Sequence, residues 1–91
     1  MNIDHLLDAT IEHYGRDAQL LKAAEECAEL TAAILQYTAR GSHQEIMSIC
    51  EEIADVKIMI SQLERIFSKA SIHSFESDKI ERLASRIGYK E

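Results

Sequence analysis

Gln19-Leu20-Leu21-Lys22-Ala23-Ala24-Glu25-Glu26-Cys27-Ala28-Glu29-Leu30-Thr31-Ala32-Ala33-Ile34-Leu35 is the stretch that decides the fold. It is built from strong helix formers and holds neither glycine nor proline. At about 100° per residue, with Glu25 at zero, Glu29 falls near 40°, Lys22 near 60°, Glu26 near 100° and Gln19 near 120°. Every charged residue between Ala18 and Ala39 lies in that sector. The rest of the girth is Leu, Ile, Ala, Cys and Thr, so the helix must pack on several sides. A chain of 91 residues has too few other helices to cover it, which predicts a partner subunit.

Outward from this helix, Gly41 stops it, and Ser42 with Glu45 gives the S-x-x-E spacing of a capping box. A third helix is expected from near His43 through Phe67 to about Ala70. Its stripe is Ile46, Ile49, Ile53, Val56, Ile60, Leu63 and Phe67, with a second apolar group of Met47, Ala54 and Ile58 opposite. Upstream, residues 2–14 place Ile3, Leu6, Leu7 and Ile11 at helical spacing before Gly15. Downstream, the serine-rich Ser68–Ser77 stretch is expected to break the chain before a last helix over Asp78–Ile87. The reading is all-α: one domain over 1–91, a helical hairpin core and short flanking helices.

Composition agrees. Proline is absent, glycine occurs three times and aromatics reach 5%, so the turns of a β-sandwich or barrel cannot be built. The longest uncharged stretch, Leu30 to Ala39, is short of the roughly 20 residues a membrane span needs. A net charge of −6 argues against a nucleic-acid polymer or an anionic membrane as main partner. Met1-Asn2-Ile3-Asp4-His5 lacks the basic and apolar regions of a signal peptide, and a cytoplasmic location is expected. Cys27 and Cys50 read as reduced core residues, and His5, His13, His43 and His73 have no ligand spacing.

The acids carry the chemistry. Glu25 and Glu29 are like charges at i, i+4, a mildly unfavourable pair with only Lys22 nearby. Glu52 and Asp55 repeat the pattern at i, i+3 on the next helix. Antiparallel packing about Gly41–Ser42 brings Glu29 level with Ala54 and Glu26 level with Lys57, so the two clusters meet. Carboxylates gathered in this way need a counter-charge. Hard divalent cations prefer oxygen ligands, and Mg²⁺ is commonly shared between carboxylates and substrate phosphates. A di-iron bundle requires Glu-x-x-His pairs, and no glutamate here has a histidine three residues on.

Glu25-Glu26-Cys27-Ala28-Glu29 matches EExxE and Glu52-Ile53-Ala54-Asp55 matches ExxD, 22 residues apart. With Tyr14-Gly15, Gln19 and Lys22, the pattern resembles the MazG-like all-α nucleoside triphosphate pyrophosphohydrolases over about residues 11–67. The resemblance implies paired hairpins from two subunits forming four-helix bundles, in a homodimer or homotetramer. It implies hydrolysis of a nucleoside triphosphate between the α and β phosphates. It assigns Mg²⁺, with Mn²⁺ as a substitute, to Glu26, Glu29, Glu52 and Asp55, and gives Glu25 or Glu26 the task of orienting water.

Two smaller assignments stay open at this level. Lys22 either contacts a phosphate or pairs with Glu26 at i, i+4, and Gln19 is a candidate for base or sugar contact. Arg82, Arg86 and Lys90 read as a solvated face. Two alternatives accompany the main reading: phosphoribosyl-ATP pyrophosphatase, which shares fold and motifs, and a non-catalytic helical dimerisation module.

Overall fold

Polar caps and three left-handed glycines cut the chain into helices. The computed structural model describes residues 1–91 as α1 (Ile3–Tyr14), α2 (Arg16–Arg40), α3 (His43–Ile66) and α4 (Lys69–Arg86), with no strand. Asn2 caps α1 by accepting from the His5 amide at 3.1 Å. Gly15, at φ +91°, ends α1 and lets α2 begin one residue later. Gly41, at φ +63°, returns its amide to the Tyr37 carbonyl at 2.8 Å, a geometry that favours glycine. Ser42 then accepts from the Glu45 amide, as the capping-box spacing predicts.

The α2–α3 hairpin is the body of the molecule, and α1 packs across both arms. Arg65 fixes α1 to α3: it bonds Asp4, reaches Asp8 at 3.0 Å, and donates to the Ser61 carbonyl at 3.1 Å. Leu7, Ala23, Ala33 and Met59 are the only buried apolar residues. Two of the four are alanines, which bring the arms close but bury little surface. No helix is long and apolar enough to cross a membrane.

Three expectations differ from the structure. The last helix begins at Lys69, not Asp78, and α3 ends at Ile66, short of Ala70. The chain turns at Phe67–Ser68, where the Ser68 side chain caps α4 by accepting from the Ser71 amide at 3.1 Å. One serine acts as a helix start, and the serines after it sit inside a helix at modest cost. Cys27 and Cys50 are exposed rather than in the core, because they lie on flanks that the single hairpin leaves open.

Much apolar surface stays open. The α3 stripe alternates three and four residues apart, the spacing of a coiled-coil seam. Ile49, Val56 and Leu63 are half-buried against the hairpin, whereas Ile46, Ile53, Ile60 and Phe67 are exposed. Helix α4 touches only α3 and has no buried residue, leaving Phe75, Ile80, Leu83 and Ile87 in solvent. The accessible surface of 7209 Å² exceeds the about 5,400 Å² of a compact chain of this mass. The radius of gyration, 16.2 Å, likewise exceeds the about 12 Å of a compact domain.

Candidate metal centre

Helix α2 turns Lys22, Glu26 and Glu29 along the side that meets α3, and α3 answers with Glu52 and Asp55. One carboxylate oxygen each from Glu26, Glu52 and Asp55 lies within 4.8 Å of the others. The hairpin register differs from expectation by about half a turn: Gln19 meets Gln62, and Glu26 faces Asp55 rather than Lys57. That slip brings the acids closer than simple counting from the turn suggests.

Glu26 is the buried member, 6% exposed, and Glu52 and Asp55 are half-buried. One Glu26 oxygen takes an ion pair from the Lys22 ammonium at 2.9 Å. Its other oxygen, Oε2, is buried with no partner, and so is Oε2 of Glu52. Buried polar atoms almost always have a partner, so two orphaned carboxylate oxygens in one cluster require a cause. A divalent cation supplies one, since each oxygen is a hard donor and the donor set is all carboxylate. The residues present therefore fit such an ion.

Charge shifts sort the cluster into two roles. The Lys22 hydrogen bond holds the Glu26 carboxyl below its ordinary range, and Glu26 in turn raises Lys22. Glu52 has no such partner. Burial raises its carboxyl first, followed by the negative charges of Glu29, Asp55 and Glu26. A neighbouring cation would reverse that repulsion.

Of the residues singled out in the sequence, Glu26, Glu52 and Asp55 converge. Glu29 is exposed at the rim, near enough for its charge to act on Glu52. Glu25 is exposed and stands outside the triad, lining a larger cavity together with Lys22 and Gln19. Lys22 takes the pairing role with Glu26 that the i, i+4 spacing allowed. Gln19 is buried, its Nε2 donating to Gln62 Oε1 at 2.6 Å. Arg82 and Arg86 lie on α4, which contacts neither α1 nor α2.

Two neighbours of the site were not singled out in the sequence. Met59 and Gln62, both buried, follow Asp55 at i+4 and i+7 and so share its face. That spacing was readable, but neither residue type signals chemistry alone. Glu45 also has an orphaned buried Oε2, at the hairpin end where Arg40 stands 3.8 Å away. Compared with protein-family models, with curated proteins and with solved structures, the chain matches none.

Proposed function

We propose that this chain is a Mg²⁺-dependent nucleoside triphosphate pyrophosphohydrolase of the MazG-like all-α kind, acting in nucleotide-pool house-cleaning. The observation that carries the reading is the convergence of Glu26, Glu52 and Asp55 from both arms of the hairpin, with two buried oxygens left unpartnered. Those three, with Glu29 at the rim, would hold the ion. When bound, Mg²⁺ would offset charge on the triphosphate and on the departing pyrophosphate.

The chain's own residues divide the remaining work. Lys22, more than half exposed and adjoining both the acidic cluster and the larger cavity, would meet a phosphate oxygen while keeping its pair with Glu26. Glu25, exposed one helical step from Glu26, orients the attacking water and accepts its proton. Water attacks in line, the P–O bond between the α and β phosphates breaks, and monophosphate and pyrophosphate result.

The same proposal includes a homodimer, or a pair of dimers, in which two hairpins form a four-helix bundle. Its support is the half-used α3 seam and the surplus surface, about 1,800 Å² per chain over a compact fold. A symmetric pair would bury about twice that, within the roughly 2,000–5,000 Å² of obligate dimers.

The test is pyrophosphate release from NTPs, dNTPs and phosphoribosyl-ATP, with Mg²⁺ and with EDTA. Metal-dependent pyrophosphate and monophosphate from NTPs or dNTPs support the reading, and turnover confined to phosphoribosyl-ATP would move it to that sibling activity. Orthophosphate as the product, or no product from any substrate, would overturn it.

A further inference from the structure

Helix α4 runs for 18 residues without burying one of them, and its only packing is a slight contact with α3. A helix in water is held chiefly by what covers its apolar face. On α4 that face consists of Ile72, Phe75, Ile80 and Leu83, with Glu76 and Lys79 set among them. All six are exposed, and together they border one open hollow to which no other helix contributes. Apolar side chains grouped in this way mark an interaction site.

The six positions form a symmetric pattern. At about 100° per residue, with Ile72 at zero, Leu83 falls near 20°, Glu76 near 40°, Lys79 near −20°, Ile80 near 80° and Phe75 near −60°. Ile72 with Leu83, Glu76 with Lys79, and Phe75 with Ile80 are each balanced about one line down the helix. The same three pairs are balanced along the chain about the point between Ser77 and Asp78. A second α4 laid antiparallel on this face therefore sets Ile72 level with Leu83 of the other copy and Phe75 level with Ile80. Glu76 comes level with Lys79, and the two-fold symmetry makes every pair occur twice. Parallel pairing would instead bring Glu76 to Glu76 and Lys79 to Lys79, and like charges set together are costly. Within the chain these two residues make no ion pair, since its salt bridges are those of Arg16, Lys22, Arg40 and Arg65. Both charges are free for a partner.

We propose that α4 is a self-association surface, pairing antiparallel with α4 of a second copy about an axis at Ser77–Asp78, with two reciprocal Glu76–Lys79 pairs fixing direction and register. The contact is small, six residues a side against the roughly 20–30 of a standard interface, so a lone pair of α4 helices joins weakly. Chains already paired through their hairpins carry two α4 helices, and two contacts made together hold more tightly than one. This step from dimer to pair of dimers rests on the hairpin pairing proposed above, whereas the α4 contact itself does not.

The test uses the full chain with Glu76→Lys or Lys79→Glu, each alone and then as an equimolar mixture. Sedimentation velocity is run over a concentration series at low ionic strength, where exposed charges are least screened. Both positions are exposed, so helical content should not change. The native chain is expected to reach a species at least about twice the mass of that formed by either variant. Each variant alone sets like charges together twice, which should raise the concentration needed for this step by about tenfold or more. The mixture should recover the native mass, because a chain with two lysines at these positions then meets a chain with two glutamates. A native chain no heavier than the variants at any concentration overturns the inference, whatever else then covers α4. A mixture that stays as light as its components also overturns it, by confining the two charges to their own helix. The hairpin pairing is read separately, from the variants themselves: dimeric variants keep it, and monomeric variants with a dimeric mixture remove it while the α4 contact stands.

Discussion

Lys22 Nζ stands 2.9 Å from Glu26 Oε1, while the second oxygen of the same carboxylate is buried without a partner. One cation from the chain therefore serves a cluster of four acids, and serves only one edge of it. Lys22 acts as a partial counter-charge that favours the ionised form of Glu26.

Replacing Lys22 by methionine should accordingly lower the melting temperature in EDTA, since Glu26 loses its only partner. The deficit should shrink with saturating Mg²⁺, because a ligand that binds the folded state stabilises it by mass action. Thermal melts of both proteins, with and without metal, check this. An equal deficit under both conditions would mean that Lys22 acts through packing alone.

Glu52 gives the opposite sign. Its folded carboxyl titrates above the ordinary value, so between the two values the native state binds more protons than the unfolded one. Stability without metal must then fall as pH rises through that window. Glu52→Gln removes the repulsion and should raise the melting temperature in EDTA by a few degrees while flattening this slope. The same variant should lose most of the Mg²⁺-induced stabilisation and most pyrophosphate release. Melts across pH in EDTA, repeated with Mg²⁺, measure both halves. A variant that is less stable than native in EDTA would mark Glu52 as a structural residue.

The elements legible in the sequence are those fixed by local chemistry. Gly41, and Ser42 with Glu45, set the hairpin turn, and the apolar stripe of α3 gives its packed side, so α2 and α3 fall close to where the pattern places them. The start of α4 was hidden because a serine is both a cap and a tolerated helix residue, and only the backbone at Phe67–Ser68 decides between them. At the site, like charges at helical spacing marked Glu25 with Glu29 and Glu52 with Asp55, and Glu26 was named by its place in the EExxE pattern. Gln62 stayed hidden because its role depends on meeting Gln19 across the hairpin, 43 residues away in sequence. The fate of Cys27 and Cys50 depends on surfaces that a single hairpin leaves uncovered.

Arg65 is the one side chain that ties α1 to α3 by charge. Both aspartates are largely exposed, so screening limits the ion pairs, and Arg65→Ala should cost about 1 kcal/mol. The loss should be local. Amide exchange is expected to accelerate in Ile3–Tyr14 while α2 and α3 keep their protection. Uniform acceleration along the chain would show instead that α1 docking is required for the hairpin to fold.

The last prediction concerns the open half of the α3 seam. Ile53, 42% exposed in the single chain, lies one residue from Glu52 and midway along the row from Ile46 to Ile60. If two hairpins pair along this row, a charge at Ile53 is buried without a partner, a penalty no bundle core absorbs. Ile53→Glu should therefore sediment as a monomer at concentrations where the native chain is a dimer or larger, and Ile53→Leu should keep the native state. Because the seam adjoins Glu52, the monomer should also respond more weakly to Mg²⁺, since the helix presenting that carboxylate would lose its second packing face. Sedimentation velocity over a concentration series decides the point. A native chain that remains monomeric at the highest concentration would show that four thin helices with this much open surface are held by the hairpin alone.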